Sequence, residues 1–207
     1  MVLVLTGVAV IMGAILAGVN HLTEGPINEQ KEKTLADGIK SVMCVSDLKV
    51  AKTDEVKQND AKGKELTYTI YQIQDAQGRD LGAAVESTTG GFGGDLKVLV
   101  GFDPDGKILG YTLLEHAETP GLGAKADKWF QKGEKGDIIG KTAGKLTVSK
   151  DGGEVDAITA STITSRAFLL AVNQAYNAFK ATPAVDGESG ATKQEKEDKD
   201  DVKNEEE

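Results

Sequence analysis

The first 23 residues, MVLVLTGVAVIMGAILAGVNHLT, hold no Asp, Glu, Lys or Arg, and the first charged side chain is Glu24. As a helix this run is about 34 Å long, against a bilayer hydrocarbon core of about 30 Å. It therefore reads as a single transmembrane helix over residues 1–23. Gly7, Gly13 and Gly18 suit it to close packing with neighbouring helices, so other membrane subunits are the expected partners. The competing reading is a cleavable signal peptide. The run lacks a basic leading segment, and no A-x-A cleavage site follows it. No Lys or Arg precedes the span, while Lys31 and Lys33 follow it. The positive-inside rule would place the remainder in the cytoplasm, but the rule weakens for large domains.

The rest of the 207 residues is enough for one domain with appendages. A formal net charge of -9 argues against nucleic acid as a partner. The lone cysteine, Cys44, supports no internal disulfide, no cysteine-based zinc site and no cysteine-held iron–sulfur cluster. It is expected to be a buried structural thiol.

Along the chain, EGPI at 24–27 is expected to end the first helix. Residues 28–45 place Leu35, Ile39, Val42 and Met43 at helical spacing. Residues 66–73, LTYTIYQI, are rich in β-branched and aromatic side chains and read as a strand. Residues 97–102 and 107–115 flank DPDG, and 145–149 and 154–159 flank KDGG; both read as hairpins. A final helix follows, with Phe168, Val172, Ala175, Tyr176 and Phe179 on one face. The class is α+β: a mainly antiparallel sheet with flanking helices over residues 24–182, behind the membrane helix. Residues 183–207 are acidic, and their last 15 contain a single apolar residue, so they are expected to be a disordered tail.

Four stretches are candidates for chemistry. GLGAKA (121–126) fits the dinucleotide fingerprint, but HAETP separates it from the preceding strand and no βαβ unit surrounds it. TTGGFGGD (88–95), which contains Phe92, is either a turn cluster or a place where backbone approaches a ligand. EHAETPGLG (115–123) places Glu115, His116 and Glu118 beside a rigid turn. Two histidines in the whole chain are few for a metal site, and an acid–base pair has no other support. The turn could also offer backbone N–H groups to an anion or a flavin carbonyl.

The fourth stretch, DAITASTIT (156–164), crowds Thr159, Ser161, Thr162 and Thr164 at the mouth of the last helix. They either cap that helix, or one of them carries a phosphate stabilised by the helix end. No neighbouring histidine is visible in the sequence to activate a hydroxyl, so a phosphoester there would be made by another enzyme.

Together these residues resemble the FMN-binding subunits of bacterial membrane redox complexes, in particular the G-type subunit of the Rnf electron transport complex. The C-type subunit of the sodium-pumping NADH:quinone oxidoreductase is a close cousin. The resemblance covers about residues 1–180, through the apolar run, GGFGG, EHAETPGLG and DAITASTITSR. It implies that a flavin transferase reads D-x-x-[ST]-G-A-T and joins FMN covalently to the final Thr. Here that run is Asp156 to Thr162, so Thr162 is the implied acceptor, with Thr159, Ala160, Ser161, Ile163 and Thr164 beside it. Ala160 stands where the family has Gly, and Ser161 where it has Ala. The run Glu118, Thr119, Pro120, Gly121, Leu122, Gly123 is implied to line the flavin, together with Phe92. The resemblance further implies an extracytoplasmic flavin domain on the bacterial inner membrane. It implies an electron carrier without a substrate of its own, in a complex coupling ferredoxin and NAD to ion movement. The quinone-reductase subunit, a regulatory flavin sensor and a cofactor-free extracytoplasmic binding module are the alternatives. Residues 186–192, DGESGAT, match the acceptor pattern better than the chosen run. Thr192 lacks a helix end and apolar cover, so Thr162 remains the expected functional acceptor, with Thr192 a second candidate.

Overall fold

The computed structural model describes residues 1–59 and 65–182. The acidic tail and Thr192 lie outside the described residues. A long helix, α1 (Val2–Met43), leads into five strands: β1 (Lys49–Asn59), β2 (Glu65–Gln74), β3 (Asp80–Gly90), β4 (Asp95–Phe102) and β5 (Ile108–His116). An irregular stretch follows, with 3-10 turns at Gly123–Lys125 and Ser149–Asp151 and the short α2 (Ala126–Trp129) between them. It leads into α3 (Thr162–Ala181).

The strands pair in chain order, each antiparallel to the next. Tight turns explain this order. Asp103 Oδ1 accepts from Lys107 N at 2.7 Å within the DPDG turn, and Gly106 supplies the left-handed φ of 88°. Period-2 alternation gives the sheet two apolar faces. Val85, Val98, Val100 and Phe102 face α3, while Ile73, Ala84 and Leu99 face α1. Phe168 of α3 anchors the larger core. Its ring stacks on Phe130 at 4.3 Å and meets Tyr111 edge-on at 4.7 Å. The Tyr111 hydroxyl donates to Ala126 O at 2.7 Å and accepts from Phe130 N at 3.1 Å, and its burial raises the phenol pKa. The irregular stretch takes its shape from α3. Asn173 Oδ1 accepts from Gly144 N and Leu146 N, and its Nδ2 donates to Leu146 O.

The C-terminal part of α1 lies on the opposite face of the sheet. Gly101 and Gly110 pair across β4 and β5, and their missing side chains admit the Val42 carbonyl. Gly38 on the helix meets Leu99, Thr112 and Leu114.

Three expectations are corrected. EGPI does not end the first helix: α1 runs through Pro26 to Met43. Proline's fixed φ is itself helical, so its cost centres on one lost hydrogen bond and ring crowding, against the packing of Leu35, Ile39, Val42 and Met43 on the sheet. The KDGG segment is no antiparallel hairpin. Val155 N donates to Thr147 O and Ser149 N donates to Val155 O, which makes one parallel bridge between Val148 and Val155 around a 3-10 turn. Cys44 is exposed, because it ends α1 in a left-handed conformation (φ 54°) that turns it off the core.

Candidate functional site

At one end of the sheet the β3–β4 hairpin, the segment after β5 and the start of α3 converge on Glu118. The hairpin tip is tight, with Gly91 N donating to Gly94 O at 2.8 Å. Glu118 is 5% exposed. Its Oε1 accepts from Phe92 N at 2.7 Å and Gly93 N at 3.4 Å, and its Oε2 accepts from the Thr164 hydroxyl at 2.8 Å. One carboxyl group thereby ties three remote segments together. Glycine is required around it: a Cβ on Gly91 or Gly123 would collide with its oxygens, and one on Gly93 with Ala117 O.

The hydroxyls of the DAITASTIT run divide their work. Ser161 occupies the N-cap position of α3, yet its side chain makes no capping bond. Thr164 is committed to Glu118. Ser165 accepts from Ile158 N at 2.9 Å and donates to Ser161 O at 2.9 Å, which fixes the entry of the chain into the helix. Thr162 is half-buried in the first turn, and its Oγ1 accepts from Lys150 Nζ at 3.3 Å. Capping therefore does not account for the cluster. The helix keeps first-turn N–H groups without a side-chain cap, beside a hydroxyl and a cation.

These elements enclose a cleft of about 390 Å³, lined by Phe92, Glu118, Thr119, Leu122, Gly123 and the run from Ala160 to Thr164. Its apolar wall is exposed: Phe92 by 69%, Leu122 by 41% and Ile163 by 54%. Pro120 and Gly121 fall instead on an adjoining cleft with Lys125 and Trp129. Asp156 and Thr159 do not line either. The Asp156 carboxylate accepts from Ser149 Oγ at 3.2 Å, and its carbonyl accepts from Trp129 Nε1 at 2.8 Å, so Asp156 secures the approach to the helix. Glu115, His116 and Glu118 form no acid–base pair. Glu115 pairs with Lys31 at 3.1 Å across on α1, and His116 Nδ1 accepts from Glu118 N.

Lys150 is the neighbour that sequence reasoning missed; it sat in KDGG, a segment read only as a turn. Its place is held by the next residue. Asp151 takes two hydrogen bonds from Arg166 of α3, both at 2.7 Å, and this pairing keeps the Asp151 carboxyl below its ordinary pKa.

Ala160 adopts φ 61°, the left-handed region that disfavours a side chain. Glycine, which the resemblance implies at this position, would meet no such penalty. Ala160→Gly is expected to stabilise the fold by about 0.5–1 kcal/mol, the relief of strain being partly offset by glycine's greater unfolded-state entropy. Urea denaturation checks this; a variant no more stable than the parent would contradict it.

The family model for the FMN-binding domain matches residues 91–177. The G-type subunit of the ion-translocating oxidoreductase complex from Aliivibrio fischeri is 38% identical over 60% of this chain, and the match spans 61% of that relative's length. The protein of the same name from Pectobacterium atrosepticum is 35% identical, over 78% of this chain and 80% of its own. Among solved structures, Shewanella oneidensis NqrC superposes with a TM-score of 0.52 at 19% identity, covering 74% of this chain and all of that one, which is a likeness of fold. At the identity and coverage of the Pectobacterium relative, the chain belongs to the family of G-type subunits of ion-translocating oxidoreductase complexes.

Proposed function

We propose that this protein is a membrane-anchored flavoprotein subunit that carries FMN covalently on Thr162 and relays electrons within an ion-translocating oxidoreductase complex. The observation that carries the reading is the Thr162 hydroxyl at a helix N-terminus without a side-chain cap, at the edge of an apolar cleft, with Lys150 Nζ 3.3 Å away. The residues fit the group. Helix N–H groups and the lysine suit a phosphoester's remaining charge. Leu122, Phe92 and Ile163, exposed along the cleft, suit a planar apolar ring. When bound, FMN supplies acceptance of two electrons and their release one at a time; the chain's part is to hold the ring and tune its potential. Lys150 can polarise the Thr162 oxygen but is a poor base while charged, so the ester bond is assigned to a separate flavin transferase. Glu118 takes no part in transfer; it holds Phe92 and Thr164 on either side of the cleft.

The anchor is the N-terminal part of α1, which is long and apolar enough to cross a membrane and is fully exposed along that window. We assign the flavin domain to the extracytoplasmic side of the inner membrane, by analogy with the family.

The chain co-expressed with an active flavin transferase is expected to gain one FMN by intact mass, with the flavin peptide mapping to Thr162. Thr162→Ala is expected to lose it and Thr192→Ala to keep it. Loss in Thr192→Ala with retention in Thr162→Ala would move the cofactor to the tail and overturn the assignment.

A further inference from the structure

We infer that Ser161 is a phosphate ligand of the cleft: its hydroxyl, which the fold leaves without a partner, donates to the anion held on the neighbouring Thr162. The inference rests on the proposed function above and adds a residue to it. Ser161 occupies the N-cap position of α3, where a serine ordinarily accepts from an N–H of the first turn. Here it makes no capping bond, and its hydroxyl has no hydrogen-bond partner among the described residues. Yet the residue is only 8% exposed and lines the cleft. An enclosed hydroxyl without a partner costs free energy, and a ligand in the cleft would recover it.

The backbone of Ser161 is committed elsewhere. Its N–H donates to Ile158 O at 3.0 Å, and its carbonyl accepts from Ser165 N at 3.0 Å and from the Ser165 hydroxyl at 2.9 Å. These bonds fix the residue and leave its side chain as its one free polar group. The bond from Ser165 N is also the first of the helix. The N–H groups of Thr162, Ile163 and Thr164 precede it and find no acceptor among the described residues. Lys150 Nζ stands 3.3 Å from Thr162 Oγ1. A hydroxyl, first-turn N–H groups and a lysine are thus gathered at the start of α3, and all of them can donate. The acid that lines the cleft does not oppose them, since Glu118 turns its oxygens to Phe92 N and the Thr164 hydroxyl. Such a donor set suits a phosphodiester or a phosphate monoester and offers little to an uncharged flavin. The alanine that the resemblance implies at this position has no hydroxyl, so the contact is not part of the acceptor pattern.

A capping serine and a ligand serine differ in a measurable way. Replacing a cap with alanine lowers stability. Replacing an unpartnered hydroxyl leaves stability unchanged and weakens the ligand.

The test uses the full-length chain, made without a flavin transferase and kept in neutral detergent. Free FMN and riboflavin, which differ by the phosphate alone, are titrated by flavin fluorescence. The parent is expected to bind FMN more tightly than riboflavin. Ser161→Ala is expected to weaken FMN about tenfold, with riboflavin binding and the urea midpoint unchanged. Ser161→Thr keeps a hydroxyl and is expected to restore FMN binding. In the chain loaded by a transferase, the phosphorus NMR resonance of the phosphodiester is expected to move in Ser161→Ala and to return in Ser161→Thr. A lower urea midpoint in Ser161→Ala with FMN binding unchanged would make Ser161 a cap and overturn the inference. Equal weakening of FMN and riboflavin would assign the residue to the ring and also overturn it. So would a parent that binds FMN no better than riboflavin. Flavin mapped to Thr192 in the loaded chain would sink the proposed acceptor without touching the titration with free FMN, so the two readings fail separately.

Discussion

Replacing Glu118 with alanine is expected to destabilise the domain by about 2–4 kcal/mol, because it leaves several inward-facing donors without an acceptor. Phe92 N at 2.7 Å and Thr164 Oγ1 at 2.8 Å lose their partner together, with the weaker Gly93 N bond at 3.4 Å. The loss acts on three segments at once: the hairpin tip, the stretch after β5 and the first turn of α3. Glu118→Gln separates the acceptor from the shape. Its carbonyl can still serve Phe92 N, and its amide can donate to the Thr164 oxygen once that hydroxyl turns, so a loss of about 1 kcal/mol is expected. Urea unfolding with an unchanged m-value measures both. Glu118→Ala within about 0.5 kcal/mol of the parent would show that the carboxyl is not the tie described here. The effect on the cleft is separable: a loosened hairpin frees Phe92, so accessibility at position 92 should rise in Glu118→Ala and little in Glu118→Gln.

The second large effect is expected at the seat of α1. Alanine at Gly101 would place its Cβ 2.5 Å from the Val42 carbonyl oxygen and 3.1 Å from Val42 Cγ2. The obstacle is helix backbone rather than a pliable side chain, so the helix must lift from the sheet. Overpacking of this kind costs about 2–3 kcal/mol. Gly110→Ala meets the same carbonyl at 2.9 Å and should cost somewhat less. The two are coupled. Once the helix has lifted for one methyl group, the second finds room, so the double variant should lose less than the sum of the singles. Denaturation of the four proteins gives the cycle, and limited proteolysis near Cys44 reports the lifted helix. Additive losses would show that the residues act independently.

Local chemistry made much of this molecule readable in advance. The uncharged run, the β-branched strand at 66–73, the DPDG hairpin and the Phe168 face each carry their signal within a few residues, and each is present in the structure. Other elements carried no such signal. β1, KVAKTDEVKQN, is a largely exposed edge strand that, among the described residues, pairs with β2 alone, so charge replaces the apolar alternation that would announce it. β3, DLGAAVESTTG, is small-sided because helices press on it from both faces, and small residues have weak strand preference. Pro26 signals a break by itself, yet the packing of α1 beyond it keeps the helix continuous.

The candidate site divides in the same way. Sequence alone determined where the hydroxyls and the glycine-rich turns lie, and through resemblance which threonine to single out, because those patterns are written in contiguous residues. Only the tertiary structure decided what surrounds them. The bonds from Glu118 to Phe92 and Thr164 join positions 26 and 46 residues apart, and Lys150 reaches Thr162 through a turn whose sequence shows nothing but a turn. Contacts of that kind depend on how the sheet, the hairpin and α3 stack, and no local pattern of residues encodes the distance between segments that meet only after the core has closed.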